Sequence, residues 1–305
     1  MEKYYLKSSV DMIHCCRWRP ENRPIGIIQI IHGVREHTAR YDAMASYFSA
    51  RGYLVIGADH PGHGRTASEE DRGYLTGGWK AVVNNIRRLY LKTKHEYPDI
   101  PYIMFGHSMG SFLLMTYMRV YPQGIDAAII SGTGWQSDAL LRTGRALCKA
   151  ATARNGDSAV SSQALRFMFG LYNKKFEPTM SAYDWICSDH HIVKSYCQDP
   201  LCKWSASVQL CYEMICAIIR NQQPKNLSQM RKETPIFFIG GQHDPVGNFG
   251  NGVLKTVKMF KAAGMQDVLV ELYPNMRHEC HNERNKEKVF EDIYHWLSEK
   301  TITKF

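Results

Sequence analysis

Three residues of the types that carry out nucleophilic catalysis occur in the order Ser108, Asp244, His278 along the chain. A serine hydroxyl becomes a nucleophile when a histidine takes its proton and a carboxylate holds that histidine in the right tautomer. Ser108 lies in Gly106-His107-Ser108-Met109-Gly110, which matches the G-x-S-x-G pattern of a serine on a sharp strand-to-helix turn. The pattern predicts a nucleophile at Ser108, with His278 as its base and Asp244 as the acid that orients the base.

Each of these residues follows a short apolar run that is typical of a buried strand. The three runs are residues 101–105, 235–239 and 268–273. Because the carboxyl ends of parallel strands meet at one edge of a sheet, we expect the serine, the carboxylate and the imidazole to lie together there.

Other residues compete for the roles of base and acid. His281 lies three residues after His278, but His278 comes sooner after its strand and is the better candidate. Asp267 precedes its strand instead of following it. Asp59 follows a strand, but one on the N-terminal side of the serine, where the order along the chain is wrong for the acid.

A tetrahedral intermediate also needs two backbone N–H groups to stabilise its oxyanion. One comes from the residue after the nucleophile, which here is Met109, and the other from the loop after an earlier central strand. That strand is the β-branched run at residues 25–31, and the candidate in its loop is Val34.

Strands and helices alternate over most of the chain, which predicts an α/β fold with a doubly wound, mostly parallel sheet and helices on both faces. Residues 3–19 suit two edge strands. The alternation stops between residues 134 and 230, where helical patterns follow one another at 138–151, 161–172, 183–187 and 207–220. We therefore predict a core formed by residues 1–133 and 231–305, with residues 134–230 as a helical cap or lid.

Composition limits the function classes. The 305 residues are 44% apolar, enough for a large core, and the net charge of +9 comes from Lys and Arg spread along the chain. A solvated surface explains this charge better than a nucleic-acid partner does. The nine cysteines show neither zinc-site spacing nor a disulfide framework, and no segment has the apolar length of a membrane span. We expect a soluble cytoplasmic protein with reduced thiols and no bound metal.

Several motifs resemble those of one known family. His32-Gly33-Val34-Arg35-Glu36-His37 with Arg40-Tyr41 is similar to an H-G-x-x-E-H-x-x-R-Y oxyanion loop, and Asp59 to Gly64 is similar to a D-x-x-G-H-G turn. With the G-H-S-M-G sequence around Ser108, Asp244-Pro245-Val246 and His278-Glu279, the chain resembles α/β-hydrolases of the monoacylglycerol lipase and lysophospholipase type, grouped with the serine aminopeptidase S33 hydrolases. Arg65-Thr66 departs from the family pattern, and the cap segment matches none of its motifs.

The resemblance implies the α/β-hydrolase fold and a serine hydrolase that cleaves carboxylic esters of lipid-like alcohols, such as monoacylglycerols or lysophospholipids. It implies a small-molecule ester substrate with an acyl chain and no cofactor. The sequence leaves open a transient contact of the cap with a membrane, acyl transfer to another alcohol, and the oligomeric state.

Two alternative functions are also open. The first is an aminopeptidase, which needs an acidic group in the cap to hold a free amino terminus. The candidates for that group are Glu177, Asp184, Asp189, Asp199 and Glu213. The second is a catalytically silent protein that uses the same pocket to bind a ligand.

Overall fold

A computed structural model describes residues 1–301; residues 302–305, the end of the predicted core range 231–305, lie outside the described part. The strands are β1 (Glu2–Lys7), β2 (Met12–Trp18), β3 (Gly26–Ile31), β4 (Tyr53–Ala58), β5 (Tyr102–His107), β6 (Ala127–Ser131), β7 (Ile236–Gly241) and β8 (Val268–Tyr273). Within residues 1–301 they form one eight-stranded sheet in the order β1-β2-β4-β3-β5-β6-β7-β8.

The sheet is mostly parallel, as predicted. Strands β3 to β8 all run in the same direction, whereas β1 and β2 form an antiparallel hairpin at one edge. The hairpin joins the rest through antiparallel pairing of β2 with β4. The predicted pair of edge strands in residues 3–19 is therefore confirmed. The carboxyl ends of β3, β5, β7 and β8 meet at one edge, where the loops with the candidate catalytic residues begin.

Helices cover both faces of the sheet, also as predicted. The core helices are α1 (Asp42–Ser49), α2 (Gly78–Glu96), α3 (Met109–Val120), α9 (Asn251–Ala262) and α10 (Lys286–Thr301). Strand β3 shows the division, because Ile27 and Ile31 pack into the core with α2, α3 and α9, whereas Ile28 and Ile30 pack into the core with α1 and α10. Burial of apolar residues on both faces is what holds a parallel sheet in this sandwich.

Between β6 and β7 the chain is helical. The helices are α4 (Asp138–Asn155), α5 (Ser162–Phe169), α6 (His190–Gln198), α7 (Val208–Asn221) and α8 (Pro224–Leu227). The side chains of Ser137, Ser161, Asp189 and Ser207 accept hydrogen bonds from N–H groups in the first turns of α4, α5, α6 and α7. These caps fix where each helix begins, since the first N–H groups have no partner within the helix.

Two details of this segment differ from the sequence-based predictions. Helix α6 was not predicted, because it is short, with nine residues, and only Val193 and Tyr196 of them are buried. Residues 183–187 were predicted as a helix, but they form a single 3-10 turn at Asp184–Ile186. Trp185 lies in this turn, and the centre of its ring is 5.0 Å from that of the His278 ring.

Two further properties concern the environment of the chain. None of the helices in residues 1–301 combines the length and the apolarity needed to cross a bilayer. All nine cysteines fall in the described part, and each is a free thiol.

Candidate active site

Ser108 lies at the junction of β5 and α3 in a conformation that few L residues adopt. Its φ is 54° and its ψ is −120°, and its N–H donates to the carbonyl of Ser131 at 3.0 Å. A Cβ atom on Gly106 would lie 2.5 Å from the carbonyl oxygen of Gly110, and one on Gly110 would lie 1.9 Å from that of Ile31. Only glycine fits at these two positions, which explains the G-x-S-x-G pattern and shows that the turn around Ser108 is tightly enclosed.

His278 and Asp244 lie together at the ends of β8 and β7. The Nδ1 atom of His278 is 2.9 Å from Oδ2 of Asp244, and Oδ1 of Asp244 accepts the N–H of Val246 at 2.8 Å. Asp244 is 0% exposed. Burial alone would lower the pKa of His278, but the Asp244 carboxylate outweighs this and raises it above its usual value. The bond at Nδ1 leaves Nε2 of His278 as the nitrogen available to Ser108 or to a substrate, and both residues line the same cavity.

The competing histidine, His281, is packed behind this pair. Its ring stacks on Tyr41 with centroids 4.6 Å apart and planes inclined by 8°. Neither ring nitrogen of His281 finds a partner among the described residues, and burial lowers its pKa to about 3. A neutral, enclosed ring of this kind packs the interior and does not reach the cavity. The competing carboxylate, Asp59, binds the N–H groups of Thr38 and Arg65, each at 2.9 Å, and so supports the loops after β3 and β4.

The two candidate oxyanion donors flank Ser108. Met109 opens α3, and Val34 follows Gly33 in the loop after β3. A Cβ atom on Gly33 would lie 2.9 Å from the Cβ of Ser108, so the backbone of this loop passes directly beside the serine. Val34 and Ser108 line the same two cavities.

A buried ionic cluster, formed by residues of the motifs at 32–41 and 278–279, holds the loop after β3. Glu36 accepts hydrogen bonds from the N–H of Gly33 at 2.5 Å and from the hydroxyl of Tyr41 at 2.9 Å. Arg40 donates to Glu36 at 3.1 Å and to both oxygens of Glu279, at 2.6 and 2.7 Å. Since Glu279 directly follows His278, the cluster ties the loop at Val34 to the loop that carries the imidazole.

The two carboxyl groups of the cluster, Glu36 and Glu279, have pKa values shifted in opposite directions. Burial raises the pKa of Glu36 to about 7, although Arg40 opposes the shift. Burial also acts to raise the pKa of Glu279, but there the Arg40 guanidinium outweighs it and holds that pKa below its usual range. Arg40 therefore pairs chiefly with Glu279, and Glu36 is the weaker acid of the two.

The cavity at Ser108 has two arms, which share Val34, Ser108, Phe169 and Trp185. The narrow arm has a volume of about 80 Å³ and is otherwise lined by Phe112, Gln136, Leu140, Leu141, Phe167, Met168, Tyr172, Met214, Ile215, Ile218 and Val246. The wide arm has a volume of about 410 Å³, and its lining includes His278, Arg35, Arg166, Asn173, Tyr183 and Ser205. The narrow arm suits an apolar chain and the wide arm a polar group.

The acidic residues that an aminopeptidase would need do not line either arm. Asp184 accepts hydrogen bonds from Met180 and Ser181, Asp189 caps α6, and Asp199 lies 2.8 Å from Nε2 of His37. The carboxylates that do line the wide arm, Glu36 and Glu279, are bound to Arg40. Within the described residues, no carboxylate of the helical segment is therefore positioned to hold a free amine at Ser108.

One group of side chains could in principle ligate a metal ion. The donor atoms of His37, Asp199 and Cys202 lie within 4.8 Å of one another. His37 and Asp199 already hydrogen-bond to each other, and burial raises the pKa of the Cys202 thiol well above its usual value. These three residues link the loop after β3 to the helical segment, and they do not line the cavity at Ser108.

A family model described as serine aminopeptidase, S33, matches residues 22–285 of the chain. The chain belongs to this family. Similar S33 relatives include a monoacylglycerol lipase of Mycolicibacterium smegmatis, 26% identical over 92% of this chain and 90% of that one. The monoglyceride lipase of Homo sapiens is 23% identical over 98% of this chain and 91% of that one.

Solved structures of esterases and lipases share the fold of this chain. A thermostable carboxyl esterase from Bacillus coagulans is 27% identical with a TM-score of 0.91, and the match covers 98% of each chain. A soluble variant of the monoglyceride lipase from Saccharomyces cerevisiae, at 20% identity, has a TM-score of 0.79 over 98% of this chain and 95% of that one, which shows a shared fold. The predicted α/β-hydrolase fold and family resemblance are both confirmed.

Proposed function

We propose that Ser108, His278 and Asp244 form the catalytic triad of this protein, a carboxylic ester hydrolase of the monoacylglycerol lipase type that cleaves lipid esters. The observation that carries the proposal is the 2.9 Å contact between His278 Nδ1 and Asp244 Oδ2 in a cavity that also reaches the strained Ser108. An orienting carboxylate, an imidazole with a free Nε2 and a turn serine that lines the cavity are the parts that acyl transfer requires.

In the first half of the reaction, Nε2 of His278 takes the proton of Ser108 as the oxygen attacks the ester carbonyl. The N–H groups of Val34 and Met109 bind the oxyanion of the tetrahedral intermediate, and each donor of this kind lowers the barrier by about 3 kcal/mol. His278 then gives its proton to the leaving alcohol, and the acyl group remains on Ser108. Water activated by His278 hydrolyses this acyl-enzyme in the second half.

The lining of the two arms indicates where the alcohol and the acyl chain of the substrate bind. His278 lines the wide arm and not the narrow one, and it must protonate the leaving oxygen. The alcohol therefore leaves through the wide arm, while the acyl chain occupies the narrow apolar arm. This supports single-chain acyl esters of lipid-like alcohols as substrates.

Residues 134–230 act as a cap over the core of residues 1–133 and 231–305 in this proposal. The segment supplies most of the narrow arm, through α4, α5 and α7. Leu171 and Met180 of the same segment are 75% and 80% exposed, and Lys174 lies between them in the chain. Exposed apolar residues beside a cation suit transient contact with a lipid surface.

We also propose that the protein works in the cytoplasm. All nine of its cysteines are free thiols, seven of them buried, which fits a compartment that keeps thiols reduced.

The test is intact-protein mass spectrometry after incubation with a fluorophosphonate, together with hydrolysis of monooctanoylglycerol. We expect one adduct on the wild type, no adduct on Ser108→Ala, and an unchanged adduct on Ser205→Ala, which removes a different serine from the same cavity. An unlabelled and inactive wild type would favour the silent binding protein instead. Cleavage of an aminoacyl arylamide, but not of the ester, would favour an aminopeptidase.

A further inference from the structure

We propose that the wide arm is an anion site for the leaving group, so that the preferred substrates are acyl esters of phosphate-bearing alcohols, the anionic single-chain phospholipids, over neutral monoacylglycerols. The inference rests on the proposed ester hydrolysis and goes further by naming the chemistry of the alcohol. It depends on two arginines, Arg35 and Arg166, that line the wide arm without a carboxylate partner.

Arg35 is held in the arm by neutral groups. Its Nη1 donates to the hydroxyl of Tyr183 at 2.5 Å, and its Nη2 donates to the carbonyl of Cys202 at 3.2 Å. The guanidinium carbon lies 4.8 Å from the centre of the Tyr183 ring. Across residues 1–301 Arg35 forms no ion pair, and its buried Nε has no hydrogen-bond acceptor. These contacts orient the guanidinium but do not neutralise it.

The position of Arg35 is set by the backbone. It directly follows Val34 and has a φ of 59°, a left-handed conformation that is uncommon for residues other than glycine. The same loop supplies the proposed oxyanion donor at Val34, and Val34, Arg35 and Ser108 line the same arm.

Arg166 supplies a second positive charge from the cap. It lies on α5, is exposed, and forms no ion pair with any carboxylate of the described chain. Ser205 and Tyr183 add hydroxyl groups to the same arm. Arginine binds phosphate oxygens through paired N–H groups, and hydroxyls complete such a site.

The negative groups in the arm do not cancel these charges. Glu279 pairs with Arg40 through two short hydrogen bonds, and Glu36 accepts a third hydrogen bond from the same guanidinium. Arg35 and Arg166 therefore leave the wide arm with a net positive charge. A neutral glycerol group would fill the arm and displace water without pairing Arg35, whereas a phosphate would pair with it.

The experiment compares kcat/KM for 1-octanoylglycerol 3-phosphate and for 1-octanoylglycerol, both below their micelle concentrations. We expect the wild type to prefer the phosphate ester about tenfold or more. Arg35→Met and Arg166→Met should each lower that preference, and the double variant should lower it about 10- to 100-fold, the usual effect of losing hydrogen bonds to a charged group. Arg35→Lys should keep part of the preference, because it retains the charge.

Arg154→Met is the matched control, since Arg154 is exposed on α4 and lies outside both arms. It should leave both rates unchanged. Glycerol 3-phosphate should inhibit more strongly than inorganic phosphate if the site binds the whole head group of a lipid. A wild type that hydrolyses the neutral ester as well as the phosphate ester, or inorganic phosphate that inhibits as well as glycerol 3-phosphate, would overturn the inference. Either result would leave the proposed ester hydrolysis intact, and only failure to hydrolyse both 1-octanoylglycerol and 1-octanoylglycerol 3-phosphate would remove both.

Discussion

Arg40 and Glu279, 239 residues apart in the chain, form a buried two-pronged ion pair with contacts of 2.6 and 2.7 Å. Arg40 belongs to the segment after β3, and Glu279 directly follows His278. The pair therefore fixes the distance between the proposed oxyanion donor and the proposed base, two groups that must act on one carbonyl. Glu36 extends the link to the N–H of Gly33.

The first prediction concerns this pair. Glu279→Gln leaves Arg40 buried with only Glu36 as a partner, and removing one member of a buried pair costs about 3 to 5 kcal/mol. We expect a loss of this order in the free energy of unfolding, measured with urea, together with a lower kcat. Lys288→Met is the control, because Lys288 is exposed and its bond to Asp292 is a surface ion pair worth less than about 1 kcal/mol. Equal losses of unfolding free energy in the two variants would show that the buried pair of Arg40 and Glu279 stabilises the protein no more than a surface ion pair does.

The second prediction is a pH dependence set by His278. The imidazole must be neutral to accept the proton of Ser108, so kcat/KM falls as the pH drops through the pKa of His278. Because Asp244 raises that pKa, the acid limb should lie above the ordinary histidine value of about 6.5. In Asp244→Asn we expect the limb at lower pH and a rate lower by about ten-thousandfold. An acid limb at the same pH in both proteins would assign it to another group.

The third prediction concerns Gly33. A Cβ atom there would lie 2.6 Å from Oε1 of Glu36 and 2.9 Å from the Cβ of Ser108, so Gly33→Ala must shift the loop that carries Val34. Loss of one oxyanion donor should lower kcat by about 100- to 1,000-fold. Gly240→Ala is the control, since its nearest neighbours would lie at an ordinary 3.5 Å. If Gly33→Ala has wild-type kcat, the donor does not come from this loop.

The fourth prediction concerns the exposed apolar residues of the cap. The double variant Leu171→Ser and Met180→Ser should bind phospholipid vesicles more weakly in co-sedimentation and should hydrolyse dissolved monooctanoylglycerol at the wild-type rate. Leu269→Ser is the control, because Leu269 is also exposed but lies on β8, outside the cap. If vesicle binding is unchanged in the double variant, lipid contact does not involve this part of the cap.

The sequence was sufficient to predict the features that depend on a local pattern of residues, such as strands and the turns that follow them. Strand β8 was predicted to the residue, and the ends of β5, β7 and β8 were enough to select Ser108, Asp244 and His278 as candidates. The pairing of Arg40 with Glu279 could not be predicted, because a contact across the chain depends on packing and not on spacing. Trp185 was missed as a neighbour of His278 for a related reason, since its 3-10 turn has no amphipathic period.

The last prediction tests the narrow arm as the acyl site. Ile218 lies on α7 and lines this arm together with Phe112, so Ile218→Phe should reduce the space for the chain. Each CH₂ group that no longer fits loses about 0.8 kcal/mol of burial, and the loss of two groups corresponds to roughly 15-fold. We expect kcat/KM for dodecanoyl esters to fall by at least about tenfold relative to octanoyl esters, with the octanoyl rate nearly unchanged. The control, Ile219→Phe, alters the next residue of the same helix, which does not line the arm. A chain-length profile that stays the same in Ile218→Phe would place the acyl chain outside the narrow arm.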